Sequence, residues 1–164
     1  MKLNNSLLKI YPLHKKKFVY PILAHWAYLH WLIHKNLSFE LVALEYKKRA
    51  ESDELPCSFV AFWDEFPVGM VSVRKTDLMS REDLTPWMSA LYVLPEYRDR
   101  GIGSELINAV LNASRLKGFR KIFLFLDNRN IVELEKYYST KGWIYLDDGT
   151  DSEGIITKIF FYDL

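Results

Sequence analysis

The sequence predicts an α/β fold, a mixed β-sheet flanked by helices and containing one parallel strand-helix-strand unit. Three observations carry that reading. Two β-rich runs, Ser58 to Trp63 and Val68 to Arg74, are separated by Asp64-Glu65-Phe66-Pro67, the pattern of an antiparallel hairpin. The run Met88 to Leu94 leads through a glycine-bearing loop into an amphipathic helical stretch, and this leads into a nearly continuous apolar run, Lys121 to Leu126. Strand, helix and strand in that order make a parallel pair with a right-handed crossover, and the unbroken apolar run suits a strand covered on both faces.

The remaining elements follow from spacing. Leu7 to Leu13 reads as a short first strand, with Leu8, Ile10 and Pro12 alternating against Leu7, Lys9 and Tyr11. From Phe18 the pattern is helical, with Pro21 tolerated near the start and Ile22, Trp26, Leu29 and Ile33 recurring at spacings of three and four. A second helix follows Ser38, whose hydroxyl can cap Leu41. Its apolar stripe is Leu41, Leu44 and Tyr46, and Lys47, Lys48 and Arg49 lie where cations suit the helix dipole. After the hairpin, Lys75 to Thr85 is polar and acidic and reads as a loop. The helix from Gly101 to Lys117 presents Ile102, Leu106, Val110 and Ala113 on one face and stops at Gly118. A short helix, Ile131 to Lys141, ends at Gly142 and leads into Trp143 to Leu146. The turn-rich stretch Asp147 to Gly154 then joins a final strand, Ile155 to Tyr162.

Composition bounds the rest. At 164 residues and 49 % hydrophobic, residues 1–164 are expected to form a single domain with a full core. With 22 basic and 21 acidic residues the net charge is +1, which gives no global field for nucleic acid or an anionic membrane, so neither is expected as a partner. The longest apolar run, Phe18 to Ile33, carries His25 and His30 and falls short of the roughly 20 residues a membrane span needs. One cysteine, Cys57, excludes an intramolecular disulfide and suits a reducing, cytoplasmic setting. His30 and His34 share a helical face, but Trp31 stands where H-E-x-x-H needs its glutamate, and no metal is expected.

The chemistry-bearing stretch is Arg98-Asp99-Arg100-Gly101-Ile102-Gly103-Ser104, between a strand and a helix. Glycines at alternate positions let successive N–H groups converge on an anion at a helix start, and two arginines add charge. A dinucleotide fingerprint would need glycine at the position of Leu106, and a P-loop would need Gly-Lys-Ser or Gly-Lys-Thr, which occurs nowhere in the chain. The loop does match Gln/Arg-x-x-Gly-x-Gly/Ala through Arg98, Gly101 and Gly103. It resembles the acetyl-CoA loop of the GNAT superfamily of N-acetyltransferases. Thr85-Pro86-Trp87 upstream and Tyr138-Ser139-Thr140-Lys141-Gly142-Trp143 downstream extend the resemblance over one domain length.

That resemblance implies a GNAT-like fold and acetyl transfer from acetyl-CoA to a primary amine of a small molecule or amino acid. The amides of Arg100, Gly101, Ile102, Gly103 and Ser104 would hold the pyrophosphate, with Arg98, Asp99 and the arginine side chains completing the loop. Leu91, Tyr92 and Val93 would offer backbone to the pantetheine arm. Tyr138 stands where similar enzymes carry the proton donor to the CoA sulfur, with Tyr137 as its rival. Where many relatives place an asparagine seven residues before that tyrosine, this chain has Ile131, which leaves Asn128 and Asn130 as alternatives. Around the acceptor, Asp77, Glu82 and Asp83 are candidate carboxylates, and Trp26, Trp31 and Trp87 are candidate walls. A second reading of the same fold is a non-catalytic acyl-CoA-binding sensor. Dimers are common among similar proteins, which makes a homodimer one expected assembly.

Overall fold

The structure is a computed structural model and describes residues 7–164. Seven strands are formed: β1 (Leu8–Pro12), β2 (Cys57–Trp63), β3 (Phe66–Arg74), β4 (Trp87–Val93), β5 (Lys121–Phe125), β6 (Ile144–Thr150) and β7 (Ile156–Asp163). They make one mixed sheet in the order β1-β2-β3-β4-β5-β7-β6. Four α-helices accompany it: α1 (Tyr20–Ala27), α2 (Phe39–Arg49), α3 (Ile102–Leu116) and α4 (Ile131–Ser139). β4 and β5 pair in parallel at Trp87 and Phe123 with α3 as their crossover, which is the predicted strand-helix-strand unit. The chain divides into two compact units. One holds the residues up to Val73 with Ala90–Val110, and the other holds Arg74–Ser89 with Leu111–Leu164.

In the first unit β1 and β2 are antiparallel, and so are β2 and β3. The predicted hairpin forms, but its turn is only Asp64 and Glu65, because Trp63 still pairs with Phe66 and Asp64 adopts a left-handed φ of 54°. Glycine is required at Gly69. A Cβ there would come within 2.8 Å of the Tyr92 carbonyl oxygen and 3.2 Å of Leu106 Cδ1. The core gathers Leu13, Val19, Leu23, Trp26, Val42 and Tyr46 with Val60, Met70 and Tyr92.

Only part of each helical stripe read from the sequence is buried: Trp26 and Tyr46 are in the core, and the other members face solvent. α1 buries Leu23, Ala24, Trp26 and Ala27, while Ile22, Leu29 and Ile33 are exposed. α2 buries Val42 and Tyr46, while Leu41 and Leu44 are exposed. Each helix is apolar on more than one side, and α1 packs on α2 with Ala24 and Ala27 buried. A π-helical turn, Tyr28–Leu32, closed by Ile33 N–H donating to Tyr28 O at 2.8 Å, also shifts the phase of every residue beyond Ala27. The Ser38 cap forms as read, its hydroxyl accepting from Leu41 N–H at 3.3 Å.

In the second unit β5 pairs antiparallel with β7, and β7 with β6, around a core of Leu78, Trp87, Phe123 and Ile159. The expected turn from Asp147 to Gly154 is a correction. The strand continues through Asp147-Asp148-Gly149-Thr150, and the reversal is confined to residues 151–155, closed by Asp151 N–H donating to Ile155 O. β6 is an edge strand whose residues are nearly all exposed, so its polar letters report solvent rather than a turn. Gly149 is small for packing, since a Cβ would meet Leu78 Cδ2 at 2.5 Å. The loop from Lys75 to Thr85 contains a 3-10 turn, Met79–Arg81, tied to β6 through Ser80 Oγ, which donates to Thr150 O at 2.8 Å and accepts from Thr150 N–H at 3.0 Å.

Candidate active site

The phosphate-type loop lies in the first unit. Pro95–Tyr97 makes a 3-10 turn after β4, and the chain then reverses through two left-handed residues, Asp99 at φ 58° and Gly101 at φ 78°. Gly101 is therefore the glycine the turn requires on backbone grounds. Gly103 lies inside α3 without a left-handed φ, so its backbone does not itself call for glycine. The first helical bond at this end is Glu105 N–H donating to Gly101 O at 3.1 Å, so the amides of Ile102 and Gly103 stand ahead of the helical ladder at the positive end of the helix dipole.

Both arginines of the loop are held in place. Arg98 Nε donates to the Val93 carbonyl at 2.9 Å, and its guanidinium lies 5.7 Å from the Tyr92 ring centre. Arg100 donates to the Glu96 carbonyl at 3.2 Å and lies 5.5 Å from the Trp63 ring and 5.3 Å from the Tyr97 ring. These contacts restrict side chains that would otherwise sweep solvent, while leaving further N–H groups of each fork to face an anion.

Behind the loop, Tyr92 on β4 is nearly buried in an aromatic cluster. Its ring centre is 4.3 Å from His30, 5.4 Å from Trp26 and 6.5 Å from Trp31. Five predicted residues, Trp26, Trp31, Tyr92, Val93 and Arg98, thus join one connected set. The sequence reading missed the parts played by His30, Trp63 and Tyr97. Local patterns do not mark the contacts of His30 with Tyr92 and of Trp63 with Tyr97 and Arg100, which join residues distant in sequence. Within β4, Ala90 takes a left-handed φ of 53°, which local propensity does not anticipate for alanine.

The candidate proton donor lies in the second unit. Its motif Tyr-x-x-x-Gly-Trp is a helix stop in physical terms. Gly142, at φ 90°, ends α4, with its N–H donating to Ser139 O at 3.2 Å and Trp143 N–H donating to Tyr138 O at 3.1 Å. This pair of bonds is a Schellman motif, and the Trp143 ring packs edge-on to Tyr138 at 5.9 Å. Tyr138 is buried and Tyr137 half-buried. Burial pushes the Tyr138 phenol far above the usual tyrosine range, with the neighbouring Tyr137 adding to the effect, while burial alone raises Tyr137. Tyr138 therefore stays protonated across the physiological range.

The other candidates of this unit are placed as follows. Asn130 is the residue before α4 and makes no side-chain cap; Asp127 supplies the local cap by accepting from Arg129 N–H at 3.0 Å. Asp77 accepts from Arg74 at 2.7 Å. Asp83 accepts from both sides of the Arg81 fork at 2.9 Å, and that guanidinium holds its carboxyl below the ordinary range. Glu82, on the same segment, begins where the 3-10 turn ends. Trp87 is wholly buried, its indole N–H donating to Leu84 O at 2.7 Å, so its role in this unit is core packing rather than lining a solvent-facing wall. Among the described residues no three His, Cys, Asp or Glu side chains gather as a metal site.

A strand, a left-handed glycine turn and a helix start bearing two fixed arginines agree with the family model that matches residues 9–138, the acetyltransferase (GNAT) family. The chain belongs to the GNAT acetyltransferase family. It is accordingly an acyl-CoA-dependent transferase. The fold is shared with solved structures at low identity. The Salmonella typhimurium protein yncA, solved with its cofactor acetyl-CoA, is 15 % identical with a TM-score of 0.70, covering 96 % of this chain and 94 % of that one. A spermidine N-acetyltransferase SpeG chimera from Vibrio cholerae is 16 % identical with a TM-score of 0.70, covering 96 % and 95 %. An acetyltransferase from Thermus thermophilus is 20 % identical with a TM-score of 0.65, covering 96 % and 97 %. No curated protein matches the sequence.

Proposed function

We propose that this acetyltransferase moves an acetyl group from acetyl-CoA to a primary amine of a small molecule or amino acid by direct attack, with Tyr138 as the general acid. The observation that carries the reading is the turn at Gly101. Its left-handed φ presents the Ile102 and Gly103 amides at a helix start beside Arg98 and Arg100, an arrangement suited to a pyrophosphate. The donor set fits the cosubstrate in kind, since backbone amides and two guanidiniums meet phosphate oxygens.

Acetyl-CoA supplies an acyl carbon that bonds to the amine nitrogen as its C–S bond breaks; the nitrogen gives up one proton to water, the departing sulfur takes one from Tyr138, and Tyr138 regains its proton from solvent. Tyr138 holds a proton at Oη that burial keeps in place. A thiol has a reference pKa of about 8.5 and a phenol about 10, so the enzyme's task is to aim this proton, not to generate it. The Leu91 to Val93 backbone is assigned to the pantetheine arm, although the Val93 carbonyl already accepts from Arg98. Asn130, whose side chain makes no helix cap, remains assigned to the same arm.

The acceptor is proposed to be a cationic amine. Asp77, Glu82 and Asp83 lie on the segment entering β4, and the fold is shared with a spermidine N-acetyltransferase chimera. Asp77 and Asp83 are already paired with arginines, which leaves Glu82 as the leading carboxylate of the three.

The test is acetyl-CoA binding by calorimetry together with CoA release over a panel of cationic, neutral and anionic amines. Binding with turnover greatest on a cationic amine supports the reading. Binding without turnover on any amine would instead identify an acyl-CoA sensor.

A further inference from the structure

We propose that the α1–α2 face of the first unit docks on the surface of an anionic lipid bilayer. This inference is independent of which amine the enzyme acetylates.

The starting point is the stripe that the fold leaves uncovered. Phe18 on the 3-10 turn before α1, Ile22 on α1, Leu29 on the π-helical turn and Ile33 just after it are all exposed, Phe18 by 74 %. Leu37, Leu41 and Leu44 are exposed as well, Leu41 by 55 %, at intervals of four and three on and just before α2. The two stripes adjoin. His25, exposed within the α1 stripe, has its ring centre 6.2 Å from Phe39 in the first turn of α2, and α1 packs directly on α2. Seven large apolar side chains on one helix pair exceed the scattered exposure of a typical surface.

Charge decides between the occupants. The net charge of +1 conceals a strong division: residues 1–49 hold nine Lys and Arg against two Asp and Glu, +7, whereas residues 50–164 hold thirteen against nineteen, −6. Lys15 and Lys17 precede the α1 stripe and Lys47 ends the α2 stripe, all three exposed. An apolar helical face bordered by lysines matches a bilayer with anionic headgroups, where acyl chains receive the leucines and phosphates receive the ammoniums. A second copy fits less well, because a two-fold contact through this face sets each basic border against the same patch on the partner. No helix among the described residues is long and apolar enough to cross a membrane, so the contact is one of lying on the surface.

The test is co-sedimentation of the full chain with vesicles of phosphatidylcholine alone and of phosphatidylcholine mixed with phosphatidylglycerol. Three variants accompany the parent: Leu29→Asp with Leu41→Asp, Lys15→Glu with Lys17→Glu, and Lys47→Glu. All positions are exposed and outside the acetyl-CoA loop, and unchanged acetyl-CoA binding verifies folding. The parent should bind the mixed vesicles and not the neutral ones, with binding weakened by added salt. The double leucine variant should bind about tenfold or more weakly, since two apolar side chains no longer leave water. Any one of three results overturns the proposal: no sedimentation with the mixed vesicles, equal sedimentation by the leucine variant, or a dimer in solution that the leucine substitutions dissociate while vesicles capture nothing.

Discussion

The loop from Arg98 to Ser104 and the helix end from Tyr138 to Trp143 are both short motifs pinned by glycine, yet they are built oppositely. The loop keeps its amides ahead of the helical ladder and its arginines near the surface, held by single hydrogen bonds to Val93 and Glu96 carbonyls. The helix end is closed on itself. Its amides are spent in a Schellman motif, and the tyrosine is packed against Trp143. A group that binds an anion has to leave donors unspent, whereas a group that holds a proton benefits from losing solvent. The same residue type, a glycine at positive φ, opens one site and seals the other.

The largest effect expected from this contrast falls on the sealed side. Tyr138→Phe keeps the ring and removes the hydroxyl, and single-turnover acetyl transfer should fall by about a hundredfold to ten-thousandfold while acetyl-CoA affinity is retained. Tyr137→Phe should fall far less; the opposite ranking would make Tyr137 the donor. Burial raises the Tyr138 pKa, so its protonated form persists as pH rises past the reference value of about 10. The chemical rate should therefore show no descending limb from this group below about pH 10. A limb below that value that disappears in Tyr138→Phe would contradict the assignment.

On the open side, Gly101→Val forces a β-branched residue into a left-handed turn, a strain of about 1–2 kcal/mol. Acetyl-CoA affinity measured by calorimetry should drop by roughly tenfold, with the fold preserved. Gly103→Val should weaken affinity without that strain, because it adds bulk where the helix start meets its anion. If both variants bind as the parent does, the pyrophosphate lies elsewhere.

A smaller change is expected from Gly142→Ala. Its φ of 90° and a neighbouring Tyr162 ring carbon at 3.3 Å from the added Cβ both oppose the substitution. Stability should fall by about 1 kcal/mol, read as a lower denaturation midpoint at unchanged slope. The smallest effect belongs to Asp77→Asn and Asp83→Asn together, since each carboxylate is already answered by an arginine. kcat/KM for a cationic amine should change by less than about twofold, and Glu82→Gln should exceed it and reduce the salt dependence.

Much of this was legible before any coordinates. The hairpin turn, the Ser38 cap and the helix stops at Gly118 and Gly142 are all local. Each depends on residues a few positions apart, where steric and hydrogen-bonding rules act without reference to the rest of the chain. The loop motif belongs to this class, since its turn, its helix start and its charges lie within seven residues.

What the tertiary structure alone decided is which of several permissible faces became the core. α1 and α2 carry apolar residues on more than one side, and periodicity cannot choose among them. Packing around Ala24, Ala27, Val42 and Tyr46 did so, leaving Leu29 and Leu41 to solvent. Asp147 to Thr150, the second half of β6, reads as a turn because an edge strand and a turn share a polar vocabulary, and only its pairing with β7 separates them. The partners of Asp77 and Asp83, the burial of Trp87 and the stacking of His30 on Tyr92 arise from side chains meeting in space. A linear sequence specifies the local rules each segment obeys. The competition for a limited interior, settled only when the segments pack, determines which of the allowed outcomes stands.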